Sequence, residues 1–198
     1  MKTKTKKMCI TAMGIALFVV LALCLQVPVF ENYYLCLGYI AMMVFCYYFG
    51  PAAGSIVGFL GVVLYCLLIN GLRGMPGWAV GNIVIGIIVG STCKATINMK
   101  NVWLKNILIV LAIVLSTAVA MLGVKSLVES ILYAQPMVVR IAKNIYAFVA
   151  DVVVLIVGLP VCTILQQPIN KIFKNEIIKP MKTSTKTDTE ERGEKPYD

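Results

Sequence analysis

Outside its polar C-terminal tail this chain has three carboxylates, Glu31, Glu129 and Asp151. Asp151 lies between Ala147-Phe148-Val149-Ala150 and Val152-Val153-Val154. A charge in so apolar a run is costly and marks a functional candidate. Helical spacing places Asn144, Phe148 and Asp151 on one face. There the carboxylate can accept hydrogen bonds from a ligand, or pair with Arg73 or Arg140; the spacing leaves both open. Asn82 follows Trp78 by one helical turn, so an indole wall can stand over a hydrogen-bonding amide. A tryptophan at that position equally suits a membrane-interface anchor. Arg73 sits in the loop Asn70-Gly71-Leu72-Arg73-Gly74-Met75-Pro76-Gly77. Its guanidinium can hold a carboxylate or phosphate, or be a plain loop charge. Glu31, Asn32, Tyr33 and Tyr34 can cap a pocket or belong to an aromatic belt.

Other chemistries lack their parts. There is no histidine, which removes His-based triads, HExxH zinc sites and His-ligated haem. Buried acids are too few for an enzyme built on several of them, so binding or transport is expected, with no cofactor. The seven cysteines include no CxxC. Most fall in apolar runs, where a thiol behaves as a small hydrophobe, and they are read as reduced.

These residues need a lipid-embedded frame. Of the 198 residues, 60% are hydrophobic and 14% charged, against about 45–50% and about 25% in soluble domains. Mean hydropathy is +0.87. Apolar runs cover about 8–27, 33–49, 52–69, 78–93, 104–124 and 145–165. A run of about 20 residues makes a helix of about 30 Å, the thickness of the hydrocarbon layer. The expected fold is all-α: a polytopic membrane protein with six transmembrane helices in a single bundle. Residues 1–7 form a basic cytoplasmic N-terminus, 8–165 the membrane domain, and 166–198 a polar, disordered cytoplasmic tail. Residues 125–143 read as an amphipathic or interfacial segment.

Six spans place both termini on one side. Of the 18 lysines and arginines, 14 lie in the termini and the connector after the fourth span. The positive-inside rule makes that side cytoplasmic. The net charge of +9 is then a topology signal with some attraction to anionic lipid, and no nucleic-acid partner is implied. The candidate groups share the outer half of the bundle. Aromatic walls with few polar anchors suit a small planar or amphipathic solute. An ion path would need charged or carbonyl groups through the whole membrane.

Small residues show where helices can meet closely. Gly50, Gly54 and Gly58 recur every four residues, with Gly61 one turn on; Gly77 and Gly81, then Gly86 and Gly90, repeat the spacing. These suit packing within the bundle. Ala12-Met13-Gly14-Ile15-Ala16 is a small-xxx-small face in the first helix, suited to internal packing or to docking another membrane subunit.

Taken in order, these motifs resemble the substrate-binding (S) components of energy-coupling factor (ECF) transporters. The resemblance rests on the AxxxA face of the first helix, on Gly38-Tyr39-Ile40, and on Gly50-Pro51-Ala52-Ala53-Gly54 followed by Gly58 and Gly61. It covers about 8–165, most strongly 38–90, and is similar to the riboflavin-type vitamin-binding members. It implies a bacterial cell-membrane protein that captures a vitamin or its precursor from outside. Ala12 and Ala16 would dock it onto a membrane coupling subunit driven by two cytoplasmic ATPases. The S component then topples in the membrane and releases its cargo inside. It has no nucleotide site of its own, and no GxxxxGK[ST] occurs here. One departure is plain: many riboflavin-type members carry an acidic residue late in the third helix, and 61–69 contains none. The alternative is a non-transport assembly or scaffold subunit of the membrane. A secondary transporter would show internal repeats, and the two halves show no convincing one.

Overall fold

Gly50 decides where the second and third helices part. Its φ of 90° lies in the left-handed region that favours glycine. Pro51 then opens the next helix, where its missing N–H costs nothing. The computed structural model describes residues 3–24, 26–30, 33–69 and 75–172. Its helices are α1 (Thr3–Cys24), α2 (Gly38–Phe49), α3 (Pro51–Leu68), α4 (Met75–Thr96), α5 (Val102–Tyr133) and α6 (Met137–Ile172). Strands β1 (Gln26–Phe30) and β2 (Tyr33–Cys36) pair antiparallel between α1 and α2. All helices but α2 are long and apolar enough to cross a bilayer. The 12-residue α2 is about 18 Å long at helical rise.

The all-helical membrane fold read from the sequence is the fold observed. α3 packs on α1, α2 and α4, α2 also packs on α6, and β2 packs on α6. The glycine stripes are where these helices close. A Cβ on Gly86 would lie 2.6 Å from the Ser55 backbone, and one on Gly90 would lie 2.5 Å from Pro51 Cα. A Cβ on Gly61 would meet the Phe18 ring at 2.5 Å. Those distances leave room for hydrogen alone, as expected where backbones approach in lipid.

Two segments differ from the sequence reading. Residues 26–30 and 33–36 pair as strands, although the apolar runs 8–27 and 33–49 overlap them. Pro28 cannot continue a helix, and it pairs with Tyr34 beside a bulge. Residues 125–143 do not form a segment of their own between two spans. α5 continues through them to Tyr133, the chain turns at Ala134 (φ 50°), and α6 starts at Met137. Within α5, Ala118–Lys125 winds as a π-helix. Lys125 and Glu129 are buried, and Glu129 takes its hydrogen bonds from Arg140 and Asn144 of the facing helix rather than from water. At its far end α6 runs past residue 165 to Ile172.

Candidate functional site

Beneath the hairpin, three helices converge on one hydroxyl. Tyr39, in the first turn of α2, is fully buried. Its Oη accepts a hydrogen bond from Trp78 Nε1 of α4 at 2.7 Å. It lies 2.8 Å from Asn82 Oδ1 of α4 and 3.0 Å from Asp151 Oδ2 of α6, to either of which it can donate. The phenol has one proton and faces two acceptors. One acceptor is therefore open to a donor from elsewhere. Asn82 is held by its other end, Nδ2 donating to Gly58 O at 3.1 Å. The carbonyl is within reach because Gly58 has no side chain to keep α4 away. Tyr65 stands edge-on to Trp78 at 5.8 Å, and Phe18 edge-on to Tyr39 at 6.1 Å. The result is a small polar centre inside an aromatic wall.

A second polar group joins α5 to α6. Glu129 Oε2 accepts from Arg140 Nη1 at 3.5 Å and from Asn144 Nδ2 at 3.4 Å. Asn144 Nδ2 also donates to Ser126 Oγ at 2.9 Å. Lys125 is in electrostatic reach of both Glu129 and Asp151. The guanidinium of Arg140 lies 5.3 Å from the centre of the Tyr133 ring. Charges at this depth survive because each has an opposite charge and hydrogen bonds nearby.

The predicted residues divide three ways. Trp78, Asn82 and Asp151 meet at Tyr39. Asn144 shares their side of α6 but joins the Glu129 group, and the partly buried Phe148 packs against the core. Tyr34 lies in β2, paired with Pro28. Glu31, Asn32 and Arg73 lie outside the described residues, so the suggested pairing of Asp151 with Arg73 is not described. Arg140 pairs with Glu129, not with Asp151.

Sequence reasoning missed Tyr39, Lys125, Ser126, Glu129 and Arg140 as site residues. Tyr39 was hidden in an apolar run, where a tyrosine passes for packing. The signal for the others was available. Lys125 and Glu129 are one turn apart, and Val124, Leu127, Val128, Ile131 and Leu132 continue the apolar pattern of the helix before them.

A family model described as "ECF-type riboflavin transporter, S component" matches residues 2–167 of the 198. The chain belongs to that family. Among solved structures, this S component is similar to one titled as the S-component for biotin from an ECF-type ABC transporter, with a TM-score of 0.60 and 16% identity. The match covers 84% of this chain and 95% of that one. A search of curated proteins found no match.

The AxxxA face of the S component lies in the middle of α1, on residues that precede Phe18. Ala12 and Ala16 are exposed, while Gly14 beside them is buried against Phe45. Of the two uses open to that face, internal packing is therefore taken by Gly14 and not by the alanines. Ala12 lines a groove of about 530 Å³ between α1 and α3, bordered by Lys7, Phe49, Ala53 and Leu60.

Proposed function

We propose that this S component binds a vitamin or vitamin-like micronutrient at the hairpin end of the bundle, with Trp78, Asn82 and Asp151 as anchors around Tyr39. The observation that carries this reading is the convergence of those residues on one hydroxyl that leaves an acceptor open. Buried hydrogen-bonding capacity with aromatic walls is what a small planar solute requires. By the sequence reading, Glu31, Asn32 and Arg73 would complete the site together with Tyr34 of β2. Asn144 and Phe148 continue the lining along α6.

The distribution of lysine and arginine supports a hairpin end facing outward with both termini cytoplasmic. The exposed Ala12 and Ala16, with the groove beside them, suit close approach of a helix from a membrane coupling subunit. That subunit would be driven by two cytoplasmic ATPases. The chain itself carries out binding and not catalysis.

The test is mass spectrometry of small molecules released from the full chain purified in lipid nanodiscs. A heterocyclic micronutrient in stoichiometric amount is expected. Protein that releases none, from cells that also gain no uptake when it is expressed with an ECF module, would favour the scaffold reading instead.

A further inference from the structure

The groove between α1 and α3 is apolar along its length and cationic at one end. Its α1 wall runs from Lys7 to Ile15, and its α3 wall from Ala52 to Leu60. α2 runs against both helices. Gly14 and Gly38 meet Phe45 and Phe18, and Gly54 and Gly58 meet Cys46 and Met42. α1 and α3 therefore run the same way, and Lys7 stands level with the start of α3. Either wall is about 12 Å long at helical rise. Just past Ile15 and Leu60 the two helices close, with the Phe18 ring filling the space over Gly61. Met8, Ile56 and Leu60 are exposed, so the groove is open sideways and blind at its far end.

Depth and charge decide what such a groove takes. A spanning helix from another chain crosses about 30 Å of hydrocarbon, whereas one leaflet is about 15 Å deep. The groove matches the leaflet. Lys7 is the one charged residue of its lining, and no carboxylate stands with it there. Lys4 and Lys6 precede it in the sequence, and the first turn of α1 holds no acidic residue. Thr11 Oγ1 already donates to Lys7 O at 3.0 Å, which leaves the Lys7 ammonium to meet a headgroup. Basic side chains at a membrane surface attract anionic lipid.

We propose that this groove is a binding site for one anionic phospholipid, with an acyl chain between α1 and α3 and the phosphate against Lys7. The site needs only the membrane fold and is independent of the solute bound near Tyr39. Ala12 belongs both to the groove and to the proposed docking face, so lipid and coupling subunit would exclude one another there. That consequence rests on the proposed function; the lipid site does not.

The test is native mass spectrometry of the full chain, stripped of lipid in detergent and titrated with phosphatidylglycerol or phosphatidylcholine of the same acyl chains. One phosphatidylglycerol per chain is expected to be retained, about fivefold more tightly than phosphatidylcholine. Lys7→Gln is expected to abolish that preference. Lys100→Gln, an exposed lysine outside the groove, is expected to leave it intact. Ala52→Phe, on the exposed rim, is expected to weaken both lipids. Glycerol 3-phosphate, a headgroup without chains, is expected to displace neither.

Equal retention of the two lipids would overturn the proposal. So would an equal loss from Lys7→Gln and Lys100→Gln, which would mean diffuse surface charge. Displacement by glycerol 3-phosphate would make Lys7 a phosphate contact with no lipid groove. A dimer of the chain that Ala52→Phe dissociates would give the groove to a second copy. Each of these results leaves the solute-binding reading untouched.

Discussion

Tyr39 and Asp151 are 112 residues apart in the chain, yet their Oη and Oδ2 atoms lie 3.0 Å apart. This contact ties the short α2 to the long α6 and brings α4 in through Trp78 and Asn82. Tyr39→Phe removes the hydroxyl and strands the Trp78 N–H together with both acceptors. A loss of about 1–3 kcal/mol in stability is expected, read as a lower unfolding midpoint in detergent. The fluorescence of Trp78 is expected to change with it.

Asp151→Asn keeps an acceptor for Tyr39 and removes the negative charge. The bundle is expected to stay folded, while ligand affinity falls by about tenfold or more, a typical loss for a charged hydrogen bond. Equilibrium titration of the variant checks this. Unchanged affinity would make Asp151 a purely structural partner of Tyr39.

Ala12→Trp and Ala16→Trp put bulk on an exposed face and not into the core. Binding by the purified chain is expected to be preserved, and uptake with an ECF module to be lost. Loss of binding as well would mean that the face supports the bundle itself.

Gly86→Ala forces a methyl group to within 2.6 Å of the Ser55 backbone. Backbone cannot give way as a flexible side chain can, so about 1–3 kcal/mol of destabilisation is expected from overpacking. Gly123→Ala is the matched control, since nothing lies within 4 Å of its added methyl. Melting curves of the two variants are expected to separate clearly.

Most of the frame was legible because hydropathy and glycine spacing report directly on lipid and close packing. Gly50-Pro51 marked the α2–α3 break, and Asp151, Asn82 and Trp78 stood out as polar or amphipathic residues in apolar surroundings. Tyr39 did not, because the role of a tyrosine depends on what its hydroxyl touches across the bundle. Lys125 and Glu129 misled for a related reason. A charged pair in a mixed segment reads as wet unless the partner helix is known, and here Arg140 and Asn144 on that helix keep it dry. The hairpin was hidden because residues 33–36 are as apolar as the helix that follows.

The stretch Ala118–Lys125 is wound more widely than the rest of α5. A π turn holds about one residue more than an α turn over the same advance. Deleting Gly123 would let α5 relax to ordinary winding with Glu129 still facing Asn144. The same deletion anywhere between 126 and 128 would swing Glu129 by about 100° around the axis and part the two helices' polar groups. Insertions and deletions in this helix thus have one lenient address, and it lies just before the residues that can least afford to turn.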